Sequence, residues 1–75
     1  MRKIVIELER VLAEKGVSKR FLCFECKLQR TQLNNYCKNK VGRVDLHTLA
    51  KICNCLQCDV ADILKLKEVE EDLNE

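Results

Sequence analysis

The stretch from Ser18 to Lys40 constrains the fold of this chain more than any other segment. Its apolar positions fit two short helices joined by a tight turn, and the second helix starts after Gln29. The first turn of that second helix is polar, and basic residues surround it. Arginine, glutamine, asparagine and threonine side chains match base edges and phosphates in the major groove of DNA. The pattern therefore indicates a helix that presents its N-terminal turn to duplex DNA.

Positive charge is concentrated in the middle of the 75-residue sequence, although the net charge is only +2. Between Lys15 and Arg43 eight basic residues stand against Glu25 alone, whereas from Asp59 onward seven acidic residues stand against two lysines. This division predicts a single surface that faces a polyanion. Ordinary solvated helix faces are the alternative explanation of the charge pattern.

Apolar spacing and capping residues predict an all-α domain of five helices. The predicted spans are 4–15, 19–26, 30–38 and 46–56, followed by a short fifth helix after Asp59. The predicted end and cap residues are Gly16, Ser18, Asn39, Asp45 and the pair Asp59 and Asp62, which resembles a capping box. The residues predicted to face inward are Ile4, Leu8, Val11, Leu12, Leu28, Leu33, Tyr36, Leu46, Leu49, Ile52, Cys53, Leu56, Val60, Ile63 and Leu64.

The two ends of the chain allow more than one interpretation. The β-branched run Ile4-Val5-Ile6 and the alternating segment Leu64-Lys65-Leu66-Lys67 also fit short terminal β-strands. Such strands could pair with each other or with a second subunit. Alternatively, the tail prolongs the fifth helix, with Leu66, Val69 and Leu73 along one stripe.

The order and spacing of the helices resemble the Cro and phage-repressor type of helix-turn-helix domain, the XRE family of bacterial and phage regulators. The resemblance covers about residues 4–64. It depends on Gly16-Val17-Ser18, on the pair Leu28 and Leu33, on Leu46-x-Thr48-Leu49-x-x-Ile52-Cys53, and on Cys58-Asp59-Val60-x-Asp62-Ile63-Leu64. It implies a compact repressor-like domain over 1–64 and an acidic C-terminal tail over 65–75.

The resemblance also implies roles for individual residues. The helix that starts near Arg30 would enter the major groove of double-stranded DNA. Because one domain of this size reads only about half a turn of duplex, we also expect a homodimer that spans two half-sites. The residues implied to read bases are Arg30, Thr31, Gln32 and Asn35. The residues implied to contact phosphates are Ser18, Lys19, Gln29, Asn34, Lys38, Asn39, Lys40 and Arg43.

Four residues depart from the family pattern. Lys27 and Gln57 stand where the family usually has glycine, at the turn after the second helix and after the fourth helix. Phe21 and Phe24 occupy positions of the second helix that are usually polar. The two phenylalanines suggest an additional contact surface, so a protein-interaction or antitoxin-like module on the same scaffold is the alternative function.

The six cysteines suggest a second alternative, a small zinc-binding structural domain. Cys23-x-x-Cys26 and Cys55-x-x-Cys58 have ligand spacing, but the 28 residues between them exceed the usual gap in a paired zinc motif. We instead interpret the cysteines as small hydrophobic residues that pack in the core and bind no metal. Cys37 is expected to be the exposed and reactive thiol.

Other function classes find little support in the sequence. His47 is the only histidine, and the two glycines cannot form a glycine-rich phosphate loop, so no catalytic residue, cofactor or small-molecule substrate is predicted. The apolar run at Ile4-Val5-Ile6 is too short for a signal peptide or a membrane span. We therefore expect a non-enzymatic cytoplasmic protein whose cysteines remain reduced.

Overall fold

The computed structural model describes residues 1–68. It contains five helices and a two-stranded sheet that joins the two ends of the described chain. No helix within these residues is long and apolar enough to cross a membrane. The elements in chain order are β1 (Arg2–Ile6), α1 (Leu8–Lys15), α2 (Lys19–Cys26), α3 (Arg30–Cys37), α4 (Leu46–Leu56), α5 (Val60–Ile63) and β2 (Leu64–Glu68).

The chain ends form strands that pair with each other. β1 and β2 are antiparallel, with Ile6 opposite Leu64 and Arg2 opposite Glu68. The predicted helix over 4–15 is therefore wrong at its start, because the β-branched run Ile4-Val5-Ile6 is extended and α1 begins only at Leu8. The interpretation of the tail as a longer fifth helix is also wrong, since β2 follows α5 directly.

The predicted boundary between the domain (residues 1–64) and the acidic tail (residues 65–75) falls inside β2. The rest of the predicted acidic tail, residues 69–75 with Val69 and Leu73, lies outside the described residues.

Four helices end in the same way, with a left-handed residue that is followed by a backbone hydrogen bond across the helix end. In α3 the left-handed residue is Asn39, with φ of 59°, and the amide of Lys40 reaches the carbonyl of Asn35 at 2.8 Å. Gly16, Lys27 and Gln57 have φ of 69°, 56° and 57°. The amide of the next residue then reaches back to a carbonyl in the last turn, at 3.0 Å from Val17 to Leu12, 2.9 Å from Leu28 to Cys23 and 3.1 Å from Cys58 to Cys53. This is the bonding of the Schellman motif, which commonly brings the two joined side chains into contact.

The helices enclose one hydrophobic core. The caps Ser18 and Asp45 orient α2 and α4 by accepting hydrogen bonds from the amides of Phe21 and Thr48. The buried apolar residues are Ile6, Leu8, Val11, Leu12, Leu22, Cys26, Leu33, Tyr36, Cys37, Leu49, Ile52, Leu56 and Ile63.

Three residues that were predicted to be buried are exposed, and one cysteine that was predicted to be exposed is buried. Leu46 and Val60 begin α4 and α5 and are 79% and 48% exposed, because the first residue of a capped helix lies beyond the packed turns. Ile4 is exposed because the outer half of β1 extends beyond the helices. Cys37 is buried rather than reactive, since it shares a face of α3 with Leu33.

Candidate nucleic-acid interface

Helix α3 has one buried face and one polar face. Leu33, Tyr36 and Cys37 fix it in the core. The four residues implied to read bases lie outside this buried face: Arg30 and Thr31 are exposed, and Gln32 and Asn35 are half-buried. Thr31 and Asn35, four residues apart, share the face of α3 opposite the buried one, and Arg30 and Gln32 lie to either side of them.

The turn before α3 leaves the helix N-terminus without a side-chain cap. Lys27 turns the chain in the left-handed conformation, and Gln29 precedes α3 in an extended conformation without a side-chain hydrogen bond to the helix. The first amides of α3 therefore have no capping oxygen from Gln29. Uncapped amides at a helix N-terminus favour a phosphate.

Lys19 links three helices beneath this polar surface. Its Nζ lies 2.9 Å from Oε2 of Glu9 on α1 and 3.5 Å from Oδ1 of Asn34 on α3. Ser18, at the start of α2, uses its hydroxyl to accept from the amide of Phe21 at 3.0 Å. Of the predicted phosphate contacts, Ser18, Lys19 and Asn34 thus already have partners inside the domain.

The loop after α3 carries three cations on the surface. Lys38, Lys40 and Arg43 are exposed, and none of them has an ion-pair partner among residues 1–68. Such charges are available to an external polyanion.

Asn39 has a different environment from these neighbours. It has φ of 59°, as predicted for a residue that ends α3. Its Oδ1 accepts from the amide of Ile6 at 2.7 Å, and its Nδ2 donates to the carbonyl of Ile6 at 3.1 Å. The side chain of Asn39 therefore joins the end of α3 to β1, an interaction that sequence reasoning missed along with the Glu9 contact to Lys19. No signal in the sequence indicates either contact, because Ile6 lies 33 residues from Asn39 and Glu9 lies 10 residues from Lys19.

The cysteines are distributed through the fold and do not form one site. All six are free thiols. Cys26 and Cys55, one from each Cys-x-x-Cys motif, lie close together, whereas Cys58 lies close to Cys53, so the motif cysteines pair off and do not form one cluster of four. Among residues 1–68 no group of three or more His, Cys, Asp or Glu side chains is arranged to hold a metal ion.

The two phenylalanines of α2 point to solvent. Phe21 is 49% exposed and Phe24 is 78% exposed. With Ser18 and Arg20 they line an open surface pocket of about 300 Å³. Sequence reasoning predicted this exposure from the polar character that the family usually has at the two positions.

Two solved structures share this fold. A candidate DNA-binding protein from Bacteroides fragilis superimposes with a TM-score of 0.76 at 24% sequence identity, over 84% of this chain and 100% of that chain. The transcriptional regulator VanUg superimposes with a TM-score of 0.71 at 22% identity, over 91% of this chain and 89% of that chain. A comparison with curated proteins finds no significant match.

The sequence itself shows the family. The profile of the Cro/C1-type helix-turn-helix DNA-binding domain matches residues 7–68, which include all five helices and β2. This family comprises DNA-binding domains and not enzymes. The chain therefore belongs to the Cro/C1-type helix-turn-helix DNA-binding domain family and is a non-enzymatic DNA-binding protein.

Proposed function

We propose that this protein is a sequence-specific transcriptional regulator that inserts α3 into the major groove and binds its operator as a homodimer. The observation that carries the proposal is the two-sided character of α3. Leu33, Tyr36 and Cys37 hold the helix rigidly, while the four candidate base-reading residues lie outside the buried face. A packed helix with an exposed polar face meets the geometric need of major-groove recognition.

The candidate base-reading residues have complementary chemistry. Arg30 offers a bidentate donor pair suited to guanine, and Gln32 and Asn35 offer a donor and an acceptor suited to adenine. Thr31 can contact a thymine methyl or a phosphate. These side chains would distinguish sequences, and the surrounding cations would supply affinity that does not depend on sequence.

The dimer in the proposal follows from the size of the reading surface. One helix of this length covers roughly half a turn of duplex, so useful specificity needs two half-sites about one helical turn apart. The protein would act in the cytoplasm, where its buried thiols stay reduced.

A second candidate function is supported by one observation. Phe24 is 78% exposed on α2, which suits a protein-interaction or antitoxin-like module on the same scaffold. A stoichiometric protein complex without DNA binding would favour this alternative.

Selection of random DNA duplexes by the purified protein tests the proposed function. We expect enriched sites with two symmetric half-sites whose centres are about 10 base pairs apart. If about five cations per domain neutralise phosphates, log K should fall with log salt at a slope near −4 to −5 per domain. Absence of enrichment together with a flat salt response would contradict the proposal.

A further inference from the structure

The candidate phosphate contacts of this domain differ in whether their charge is compensated. Lys38, Lys40 and Arg43, in the loop after α3, are exposed and have no ion-pair partner among residues 1–68. Lys19, at the start of α2, instead forms an ion pair with Glu9 of α1, with 2.9 Å between Nζ and Oε2. The fold therefore places a carboxylate directly against one of the lysines that we expect to bind DNA.

Glu9 reaches this position through the packing of α1 and not through its place in the sequence. It lies outside the basic segment from Lys15 to Arg43, in which Glu25 is the only acidic residue. The Nζ of Lys19 also lies 3.5 Å from Oδ1 of Asn34 on α3. Of the three donors on the ammonium group, two are thus directed at oxygen atoms inside the domain.

Glu9 is also the more exposed partner of the ion pair. Its side chain is 61% exposed, whereas that of Lys19 is 25% exposed. A phosphate oxygen bound to Nζ at about 2.8 Å would lie no more than about 6 Å from Oε2 of Glu9. The phosphate and the carboxylate repel each other at such a distance, because both are anions. A phosphate therefore gains the full attraction of Lys19 only when Glu9 moves away.

We propose that Glu9 is an intramolecular competitor of the DNA backbone, which occupies Lys19 in the free domain and is displaced by a phosphate in the complex. The inference rests on the DNA binding proposed above. Lys19 then exchanges one anionic partner for another, whereas an unpaired lysine would release about one counterion from the DNA. Glu9 lowers the affinity for all DNA sequences alike, because a phosphate contact carries no sequence information.

Helix α1 supplies a matched control. Glu14 lies on the same helix, its side chain is 59% exposed, and it forms an ion pair with Arg10 at 2.7 Å. Arg10 also donates to the backbone carbonyl of Asp62 on α5, so this ion pair does not involve a candidate DNA contact. Glu9→Gln and Glu14→Gln therefore remove the same charge from two ion pairs of similar exposure. Glutamine keeps a side-chain oxygen that can accept from the former partner.

The experiment measures the affinity of each variant for a selected operator and for an unrelated duplex at several salt concentrations. Lys19→Gln, alone and combined with Glu9→Gln, completes a double-mutant cycle. Far-UV circular dichroism compares the folding of all variants.

Glu9→Gln should bind both duplexes about eightfold more tightly at 0.1 M salt and steepen the salt slope by about 0.9, because Lys19 becomes one further cation that neutralises a phosphate. Glu14→Gln should bind like the unsubstituted protein. Most of the gain should disappear when Lys19→Gln is also present, because the gain acts through that lysine.

A Glu9→Gln variant that binds no more tightly than Glu14→Gln would overturn the inference while the proposed function stands. Weaker binding would overturn it too, because Glu9 would then orient Lys19 toward the phosphate. A gain that persists in full with Lys19→Gln would also contradict it, since Glu9 would then only repel DNA at a distance. Absence of DNA binding by the unsubstituted protein would overturn both the inference and the proposed function.

Discussion

Lys27 and Gln57 hold backbone conformations that side-chain-bearing residues rarely adopt. Their φ values of 56° and 57° fall in the left-handed region, which disfavours such residues by about 1–2 kcal/mol. Both residues close a helix, where the left-handed turn satisfies terminal carbonyls. The stabilisation from closing these helices therefore exceeds the local strain. The family preference for glycine at both positions has the same physical origin.

Replacing Lys27 by glycine should stabilise the fold. The substitution removes about 1–2 kcal/mol of backbone strain but adds entropy to the unfolded chain, so the free energy of unfolding should rise by about 0.5–1 kcal/mol. Urea denaturation measures this change. Lys27→Ala is the control, because alanine removes the same long side chain and keeps the strain. A glycine variant no more stable than the alanine variant would contradict the explanation.

For the helices, the capping residues in the sequence correctly predicted where α2 and α4 begin. Ser18 and Asp45 accept hydrogen bonds at 3.0 and 2.9 Å from amides three residues ahead, as the capping rules predict. Apolar spacing was less informative at the ends of elements. Ile4 and Leu46 fit a helical stripe, but whether such a residue is buried depends on neighbours that are distant in the sequence. Helix spacing also could not show that β1 would find its partner in β2.

The buried thiols should make stability fall at alkaline pH. Burial is the main cause that raises the pKa of Cys26, Cys37, Cys53 and Cys58 above the usual value of 9.0. A pKa that is higher in the folded state stabilises the fold below the unfolded-state pKa, and this stabilisation is lost as the pH rises. The free energy of unfolding should therefore be constant near neutral pH and should decrease above about pH 9.

Urea denaturation between pH 7 and pH 10 measures this dependence. Cys37→Ala removes one of the titrating thiols and should show a shallower decrease than the unsubstituted protein. Equal slopes for the two proteins would show that the thiol of Cys37 does not contribute.

In the molecule as a whole, the described ends of the chain pair with each other and connect to the end of α3. β1 pairs with β2, and Asn39 joins β1 to the end of α3. The sequence predicted the polar surface of α3, because the residue types in its first turn have a specific chemistry. It did not predict that the terminal sheet would lie beside the C-terminal end of α3, since Asn39 and Ile6 are 33 residues apart. Long-range contacts of this kind are determined by tertiary packing and leave no local pattern.

We propose that α3 reads bases while the loop after it binds phosphates. A bidentate glutamine–adenine pair contributes about 1–3 kcal/mol of discrimination, so Gln32→Ala should relax the preference at one base pair in each half-site. Lys40→Ala should instead weaken all sequences about equally and reduce the salt slope by roughly one unit. Both residues are outside the buried core, so neither variant should change the fold.

The most direct measurement compares the affinities of the two variants over a panel of single-base changes in a selected operator. We expect a position-specific loss of discrimination for Gln32→Ala and a uniform loss of affinity for Lys40→Ala. A uniform loss for Gln32→Ala, or no loss at all, would show that α3 does not read the bases.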